Sequence, residues 1–152
     1  MTTSPPLTGV YCLIITLKEK SPIQIGKKGK IIFEDGCYVY VGSALNSLLP
    51  RIKRHLRQEK KLHWHIDYLL QNGNSEIVEV KYALTTERLE CQVANEISNR
   101  GWGIEKFGSS DCKCHSHLFF FNDCLEAVEA CKRAFSVLGQ EQQTIKDLKK
   151  SR

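Results

Sequence analysis

The sequence predicts an α+β fold in which a small central antiparallel sheet, with three main strands, is flanked by helices. Three segments rich in β-branched and aromatic residues, 9–17, 37–43 and 76–84, have the pattern of strands. Between and after these segments, apolar residues recur at helical spacing. A chain of 152 residues with 41% hydrophobic and 26% charged residues is long enough for one domain with a buried core.

The first strand is apolar on both sides, which is typical of a strand in the middle of a sheet. Alternation places Tyr11, Leu13 and Ile15 on one of its faces. The second strand stops at Gly42, where no side chain prevents the backbone from approaching a ligand. The order of strand and glycine therefore predicts a functional position at the end of the second strand.

A basic helix is predicted to follow the second strand, with Asn46 or Ser47 as its cap. Its buried stripe is predicted to consist of Leu45, Leu48, Ile52 and Leu56. Arg51 and His55 are four residues apart and lie along one edge of that stripe, beside the strand end. The residues predicted to point outward are Lys53, Arg54, Arg57 and Lys61.

The positive charge of the chain is concentrated in this helix and the residues just after it. Residues 51–61 contain six Lys or Arg and one Glu, so their net charge equals the formal +5 of the whole chain. The remainder of the chain is neutral. Such a localised positive surface indicates a binding site for a polyanion, and a solvated helix surface without a partner is the alternative.

One domain is predicted over residues 9–139, with a loose tail at 1–8 and a polar tail at 140–152. Thr86 is the predicted cap of a helix whose buried stripe contains Val93, and Asp123 is the predicted cap of the last helix. The other predicted elements are a side hairpin at 23–25 and 30–33, a helix at 63–70 and a strand at 118–121.

Seven cysteines are an odd number and do not form the dense framework of a small secreted domain. No apolar run reaches membrane-spanning length, and residues 1–6 lack a signal pattern. We therefore expect a cytoplasmic protein with reduced thiols and no membrane partner. Cys12, Cys37 and Cys131 are predicted to be small buried hydrophobic residues.

Four side chains that can bind a metal stand within six residues: Cys112, Cys114, His115 and His117. Zinc sites usually take pairs of ligands from separated segments, so this group alone is cramped for a tetrahedral site. Cys91 or His63 could supply a distant partner. We expect packed thiols and surface histidines here, and not a structural zinc site.

Two tripeptides on the first two strands, Gly9-Val-Tyr11 and Tyr40-Val-Gly42, precede a helix with Arg51 and His55 and a later helix with Leu89-Glu90. In this order they resemble the GIY-YIG nuclease superfamily. Further segments resemble its Uri-type or DUF123 branch, found chiefly in archaea and some bacteria: residues 38–44, 54–56, 63–69, 90–91 and 107–118. Together these segments extend over nearly the whole predicted domain.

The resemblance implies cleavage of nucleic-acid phosphodiester bonds with one divalent metal ion, Mg²⁺ or Mn²⁺. The catalytic residues that it implies are Tyr11, Tyr40, Arg51, His55 and Glu90, with Glu90 as the metal ligand. Arg51 would hold the phosphate, and either Tyr11 or His55 would take a proton from the attacking water. A late asparagine of the superfamily has Ser109, Ser110 and Asp111 as its candidate equivalents.

The predicted function is therefore that of a metal-dependent endonuclease acting on DNA. Its outward basic residues, Lys53, Arg54, Arg57 and Lys61, would contact phosphates without reading sequence. The alternative is a nucleic-acid-binding or interaction module that keeps the fold and lacks turnover. An adaptor stabilised by zinc is the third hypothesis.

Overall fold

The computed structural model describes residues 7–57, 59–108 and 114–146. The strands are β1 (Gly9–Leu17), β2 (Ser21–Ile25), β3 (Gly29–Phe33), β4 (Gly36–Ala44), β5 (Ser75–Leu84), β6 (Trp102–Gly103), β7 (Leu118–Phe121) and β8 (Gln143–Ile145). The helices are α1 (Leu48–Leu56), α2 (His65–Gln71), α3 (Glu90–Ser98) and α4 (Cys124–Val137). The predicted α+β class is confirmed.

Six strands form one antiparallel sheet in the order β6-β7-β4-β1-β5-β8. The three long strands predicted from the sequence are its centre, and β1 pairs over its whole length with both β4 and β5. β2 and β3 form a separate hairpin at the predicted place, joined by one 3-10 turn at Gly26–Lys28. The central position of β1 agrees with its nearly complete burial.

The two short edge strands were not predicted. β6 pairs with β7, and β8 pairs with β5, so part of the predicted polar tail at 140–152 belongs to the sheet. Both edge strands are too short, and β8 is too polar, to carry a period of alternating apolar residues. Their pairing depends on an available sheet edge, which the local sequence does not reveal.

The two faces of the sheet carry different layers. Val10, Cys12 and Ile14 of β1 pack into a core with α3 and α4. Tyr11, Leu13 and Ile15 point to the other face, as predicted, and pack with α1, α2 and the β2–β3 hairpin. The helices α1 and α3 therefore lie on opposite faces of the sheet.

Several predicted helix details differ from the structure. Leu45 precedes α1 and is 73% exposed, so it is not part of the buried stripe. Ser47 occupies the N-cap position of α1, but its hydroxyl donates to the Leu45 carbonyl and caps nothing. Thr86 is not the cap of α3, because that helix begins four residues later, at Glu90. Asp123, by contrast, accepts hydrogen bonds from two backbone N–H groups at the start of α4, as predicted.

The expectation of reduced cysteines is wrong for Cys37, which forms a disulfide with Cys124 and so joins β4 to the start of α4. Cys12 and Cys131 are fully buried in the core between the sheet and α4, as predicted. Across the described ranges, the helices include none that could span a lipid bilayer.

Candidate functional site

The candidate site lies at the end of β4 that extends beyond its pairing with β7. The pairing of β4 with β7 runs from Cys37 to Tyr40, and the Val41 N–H then donates to the His117 carbonyl at 2.9 Å. Backbone groups alternate along a strand, so the Ser43 carbonyl faces the same side as the Val41 N–H. Beyond the end of β7, this carbonyl accepts a hydrogen bond from a side chain. At this edge of the sheet, a side chain therefore supplies the hydrogen bond that a neighbouring strand would otherwise supply.

Arg51 and Glu90 meet at this edge from opposite faces of the sheet. Arg51 Nη1, from α1, donates to the Ser43 carbonyl at 2.8 Å. The Ser43 hydroxyl donates to Glu90 Oε1, at the start of α3, at 2.7 Å. One residue of β4 therefore binds the guanidinium through its backbone and the carboxylate through its side chain. The sequence named both charged residues but gave no sign of Ser43 as the link between them.

Both charged side chains line one cleft with a volume of about 510 Å³. Its other lining residues are Thr8, Gly9, Ser43, Ala44, Leu45, Thr86, Glu87, Arg88, Cys91, Gly108 and His117. The cleft thus holds the guanidinium of Arg51, the carboxylate of Glu90 and the imidazole of His117, and the exposed Arg88 and Glu87 add one charge of each sign. This set of side chains suits an anionic ligand that is accompanied by a cation.

Glu90 is held in its ionised form. Burial by itself would raise its pKa, but hydrogen bonds from His117 and Ser43, together with electrostatic interactions with His117 and Arg51, lower the pKa below its ordinary value. The position of Glu90 in the first turn of α3 adds the favourable field of the helix N-terminus. The site therefore contains a stable negative charge beside the Arg51 guanidinium.

His117 is the contact of Glu90 that the sequence did not assign to this site. Its Nδ1 lies 3.1 Å from Glu90 Oε2, and its side chain is only 2% exposed. The sequence singled it out solely as a member of the Cys and His group at residues 112–117. The spacing of that group could have identified His117 as a candidate site residue. The contact of His117 with Glu90, however, depends on how β7 is placed beside β4.

The two phenols and His55 form a second, buried group behind the cleft. The Tyr11 hydroxyl lies 2.7 Å from His55 Nε2, and the rings of Tyr40 and His55 are 6.1 Å apart. Tyr11 is 2% exposed and Tyr40 is 9% exposed, and neither they nor His55 are among the described residues that line the cleft. The structure therefore brings the predicted residues together as two adjoining groups, with only Arg51 and Glu90 facing solvent.

Burial controls the protonation of this second group. It raises the pKa of Tyr11 well above its usual range, and the neighbouring Tyr40 raises it further while Arg51 opposes the shift. Burial also raises the pKa of Tyr40 above its usual range. It lowers the pKa of His55 to about 3, helped by the positive charge of Lys60. At neutral pH both tyrosines are phenols and His55 is neutral.

Gly42 is the point where the Tyr11 ring crosses β4. A Cβ atom at Gly42 would lie 2.5 Å from the Tyr11 hydroxyl oxygen and 2.5 Å from the adjacent ring carbon. The sequence predicted a close approach of the backbone to a ligand here. The structure instead shows a close approach to a tyrosine, so Gly42 positions the Tyr11 hydroxyl beside His55.

Arg54 does not point outward, which corrects its predicted orientation. Its guanidinium donates to both carboxylate oxygens of Asp67 at 3.0 Å and to the Lys61 carbonyl at 2.8 Å. Asp67 is fully buried and also accepts the backbone N–H groups of His63 and Trp64. These bonds leave Arg54 with few donors for a ligand and fasten α1 to the start of α2.

Trp64 lies between the two arginines of α1. The Arg51 and Arg54 guanidinium carbons are 5.0 Å and 4.4 Å from the centre of its ring. Such contacts hold a guanidinium by its face and leave the N–H groups at its edge available. Lys53, Arg57 and Lys61 are exposed, as predicted, and so form the solvent side of the basic region.

The remaining candidate residues are the possible equivalents of the late asparagine and the members of the Cys and His group. Ser109, Ser110, Asp111 and Cys112 lie outside the described residues. Of the two candidate partners for the Cys and His group, His63 is exposed with its ring tilted against that of Trp64, whereas Cys91 lies close to Cys114 and His117. Ligand atoms of Cys91, Cys114 and His117 all lie within 4.8 Å of one another.

Comparison with known proteins gives one family. The family model described as "Domain of unknown function DUF123" matches residues 10–140 of the chain. No curated protein matches the chain. No solved structure matches it.

Proposed function

The chain belongs to the family described as domain of unknown function DUF123, and from the geometry of its cleft we propose that it is a metal-dependent endonuclease acting on DNA. The order of Gly9-Val-Tyr11, Tyr40-Val-Gly42, Arg51 and Glu90, which resembles GIY-YIG nucleases, supports this proposal. The observation that carries it is the meeting of Arg51 and Glu90 at Ser43, inside one open cleft.

The donor set of the cleft fits a hydrated Mg²⁺ or Mn²⁺ ion. Glu90 offers carboxylate oxygens that each accept one hydrogen bond, so each retains a lone pair for a cation. Its side chain is 30% exposed, and the cleft has room for an ion that keeps most of its water ligands. When bound, the ion would supply Lewis-acid stabilisation of negative charge on the phosphate.

Arg51 would hold the scissile phosphate. Its hydrogen bond to Ser43 uses one of the five donors of the guanidinium, and the ring of Trp64 holds the group by its face. The remaining donors can bind two phosphate oxygens and oppose the charge that develops on them in the transition state. Lys53, Arg57 and Lys61 would contact phosphates further along the DNA, so binding would weaken as salt rises.

The Tyr11–His55 pair would take the proton of the attacking water. Because the pKa of Tyr11 is raised and that of His55 is lowered, the ground state is a phenol beside a neutral imidazole. As the water oxygen bonds to phosphorus, its proton passes to the Tyr11 oxygen while the phenol proton passes to His55 Nε2. The P–O bond to the leaving alcohol breaks, and solvent protonates that oxygen. A bound phosphate makes this transfer easier because its negative charge favours the imidazolium.

The burial of Tyr11, Tyr40 and His55 favours a second candidate function. None of the three lines the cleft, so a DNA phosphate held by Arg51 would not touch them without a movement of the cleft wall. A protein that binds nucleic acid through the basic region and does not cleave it needs no such movement. This non-catalytic module keeps the same fold and the same cleft charges.

A cleavage assay separates the two functions. Purified protein with Mg²⁺ or Mn²⁺ is incubated with duplex, single-stranded and branched DNA, beside Glu90→Gln, Arg51→Ala and Tyr11→Phe. We expect metal-dependent nicking that falls at least about 100-fold in Glu90→Gln and Arg51→Ala, since each removes a charge that stabilises the transition state. Glu87→Gln is the matched control, because this exposed carboxylate lines the same cleft, and it should cleave like the wild type.

DNA binding, measured by fluorescence anisotropy with the same substrates, decides the remaining outcomes. Binding without cleavage on every substrate would establish the non-catalytic module. Equal cleavage by the Glu90→Gln variant and the wild type would remove Glu90 from the mechanism. Absence of both binding and cleavage would refute both functions.

A further inference from the structure

The proposed nuclease chemistry assigns no metal to a group of three side chains at the cleft wall: Cys91 and His117, which line the cleft, and Cys114. Cys91 is the second residue of α3, and Cys114 and His117 come from the segment before β7. Their ligand atoms all lie within 4.8 Å of one another, with Cys91 Sγ 4.0 Å from His117 Nε2. Two elements that are distant in sequence thus contribute two sulfur atoms and one imidazole to one small volume.

The ligand atoms are somewhat farther apart than around a bound tetrahedral zinc ion, but close enough to contract onto one. Bond lengths of about 2.3 Å to sulfur and about 2.0 Å to nitrogen place two ligands of one zinc roughly 3.6 Å apart. The observed separation of Cys91 and His117 therefore needs only a small contraction. The two-segment origin of the ligands also removes the objection that a single short stretch is too cramped for such a site.

The orientation of His117 supplies a second, independent observation. Its Nδ1 faces Glu90 Oε2 at 3.1 Å, so its Nε2 faces Cys91. A histidine that binds a metal through one ring nitrogen commonly donates its other N–H to a carboxylate, which fixes the tautomer and the ring plane. Glu90 has that position here.

We propose that Cys91, Cys114 and His117 bind one Zn²⁺ ion, with Glu90 orienting the imidazole. Thiolate sulfur and imidazole select zinc over Mg²⁺ or Mn²⁺, which prefer oxygen ligands. A fourth donor, from water or another side chain, completes the tetrahedron. The ion joins the start of α3 to the segment that precedes β7, and so holds together two of the elements around the cleft.

The zinc proposal does not rest on the proposed function, although the zinc site and the nuclease site share one cleft wall. Glu90 would face a hydrated Mg²⁺ or Mn²⁺ ion in the cleft and would contact the zinc only through His117. The zinc proposal differs from the sequence-based expectation that residues 112–117 hold no structural zinc, and it depends neither on DNA binding nor on cleavage.

Metal analysis tests the proposal directly. Protein expressed with zinc in the medium and purified without chelator is measured by mass spectrometry of the elements, beside Cys91→Ser, Cys114→Ser and His117→Gln. We expect about one zinc per chain in the wild type and a loss of most of it in each variant, as for other three-ligand sites that lose a donor. His115→Gln is the matched control, because His115 is exposed and lies in the same segment, and it should keep its zinc.

A titration covers the case in which a variant fails to fold. Wild-type protein stripped by a chelator is titrated with Co²⁺ alone, and the absorption of thiolate-to-cobalt charge transfer is followed. Added Zn²⁺ should abolish this absorption and raise the melting temperature. A wild type that neither carries zinc after purification nor shows the cobalt absorption would overturn the proposal, as would full zinc content in the Cys91→Ser variant.

The two proposals can fail separately. Zinc binding without cleavage would keep the zinc site and refute the nuclease. Cleavage dependent on Mg²⁺ or Mn²⁺ by a protein without zinc would do the opposite.

Discussion

The two faces of the central sheet are stabilised in different ways. The face covered by α3 and α4 has a core of aliphatic side chains, phenylalanines and thiols, and at its β5 side it also buries Lys81, which is paired with Glu79. The face covered by α1 and α2 buries three phenols, an imidazole and a carboxylate, and several of these polar groups are hydrogen-bonded. Apolar burial tolerates small changes of shape, whereas a buried polar group is costly once its partner is removed.

This difference shows on which face the buried polar groups are concentrated. Buried polar groups lower stability unless they are paired, and a fold that only needed a core would do without them. The pairs on the α1 and α2 face all lie near Arg51: Tyr11 with His55, Arg54 with Asp67, and Trp64 against both arginines. The α1 and α2 face, here called the polar face, therefore positions Arg51, whereas Glu90 and His117 reach the cleft from the opposite, apolar face.

The largest effect should come from breaking the polar face at Arg54. In Arg54→Ala the fully buried Asp67 carboxylate loses its charged partner, and we expect the free energy of unfolding to fall by about 3 kcal/mol. Urea denaturation followed by circular dichroism measures the loss. The neighbouring exposed Lys53→Ala should stay within about 0.5 kcal/mol of the wild type. Adding Asp67→Asn to Arg54→Ala should recover part of the loss; a loss below about 1 kcal/mol for Arg54→Ala would contradict the pairing.

A smaller effect is expected where Tyr11 crosses Gly42. The Cβ atom of Gly42→Ala would collide with the Tyr11 ring and hydroxyl, which should cost about 2 kcal/mol of unfolding free energy. Gly73→Ala is the control, because a Cβ atom there meets nothing within 4 Å. The same urea denaturation checks both variants, and equal stabilities would show that Tyr11 moves aside freely.

Acid should weaken the polar face more than the apolar one. His55 has a pKa of about 3 in the folded protein, against an ordinary value of 6.5, so the unfolded chain binds a proton that the folded protein does not. The contribution of His55 is complete above pH 6.5 and falls as the pH drops toward 3, by at most about 2 kcal/mol at pH 5.

Urea denaturation from pH 7 to pH 4 tests this sign. His55→Gln should show a shallower fall in stability with acid than the wild type. Ile97→Val, in the core of the apolar face, should lower stability by about 1 kcal/mol at every pH. Parallel pH curves for the wild type and His55→Gln would mean that His55 has the same pKa in the folded protein as in the unfolded chain, which would contradict its lowered pKa.

Much of the fold could be predicted because each strand and helix has its own periodic spacing of apolar residues along the sequence. The segment Gly9–Leu17 was predicted with its exact bounds, as was Leu118–Phe121, because each is a continuous apolar run between polar or glycine residues. Gln143–Ile145 could not be predicted, because an exposed edge strand pairs through its backbone and carries no apolar pattern.

The sequence also predicted which charged residues matter, but not all their orientations. A basic residue on a helix is expected to point toward solvent when the local sequence shows no partner for it. Arg54 turns inward because it contacts Asp67, which is thirteen residues away in the chain. The disulfide of Cys37 was missed for the same reason, since its partner Cys124 is 87 residues distant.

By itself, the sequence determined the α+β class, the central strand with Tyr11, and the helix that carries Arg51 and His55. The reason is that residues close together in the sequence set the apolar spacing that distinguishes a strand from a helix. Only the tertiary structure decided that Glu90 reaches Arg51 although α1 and α3 lie on opposite faces of the sheet. The physical reason is that β7 ends before β4 does, which leaves Ser43 free to bind a side chain from each face.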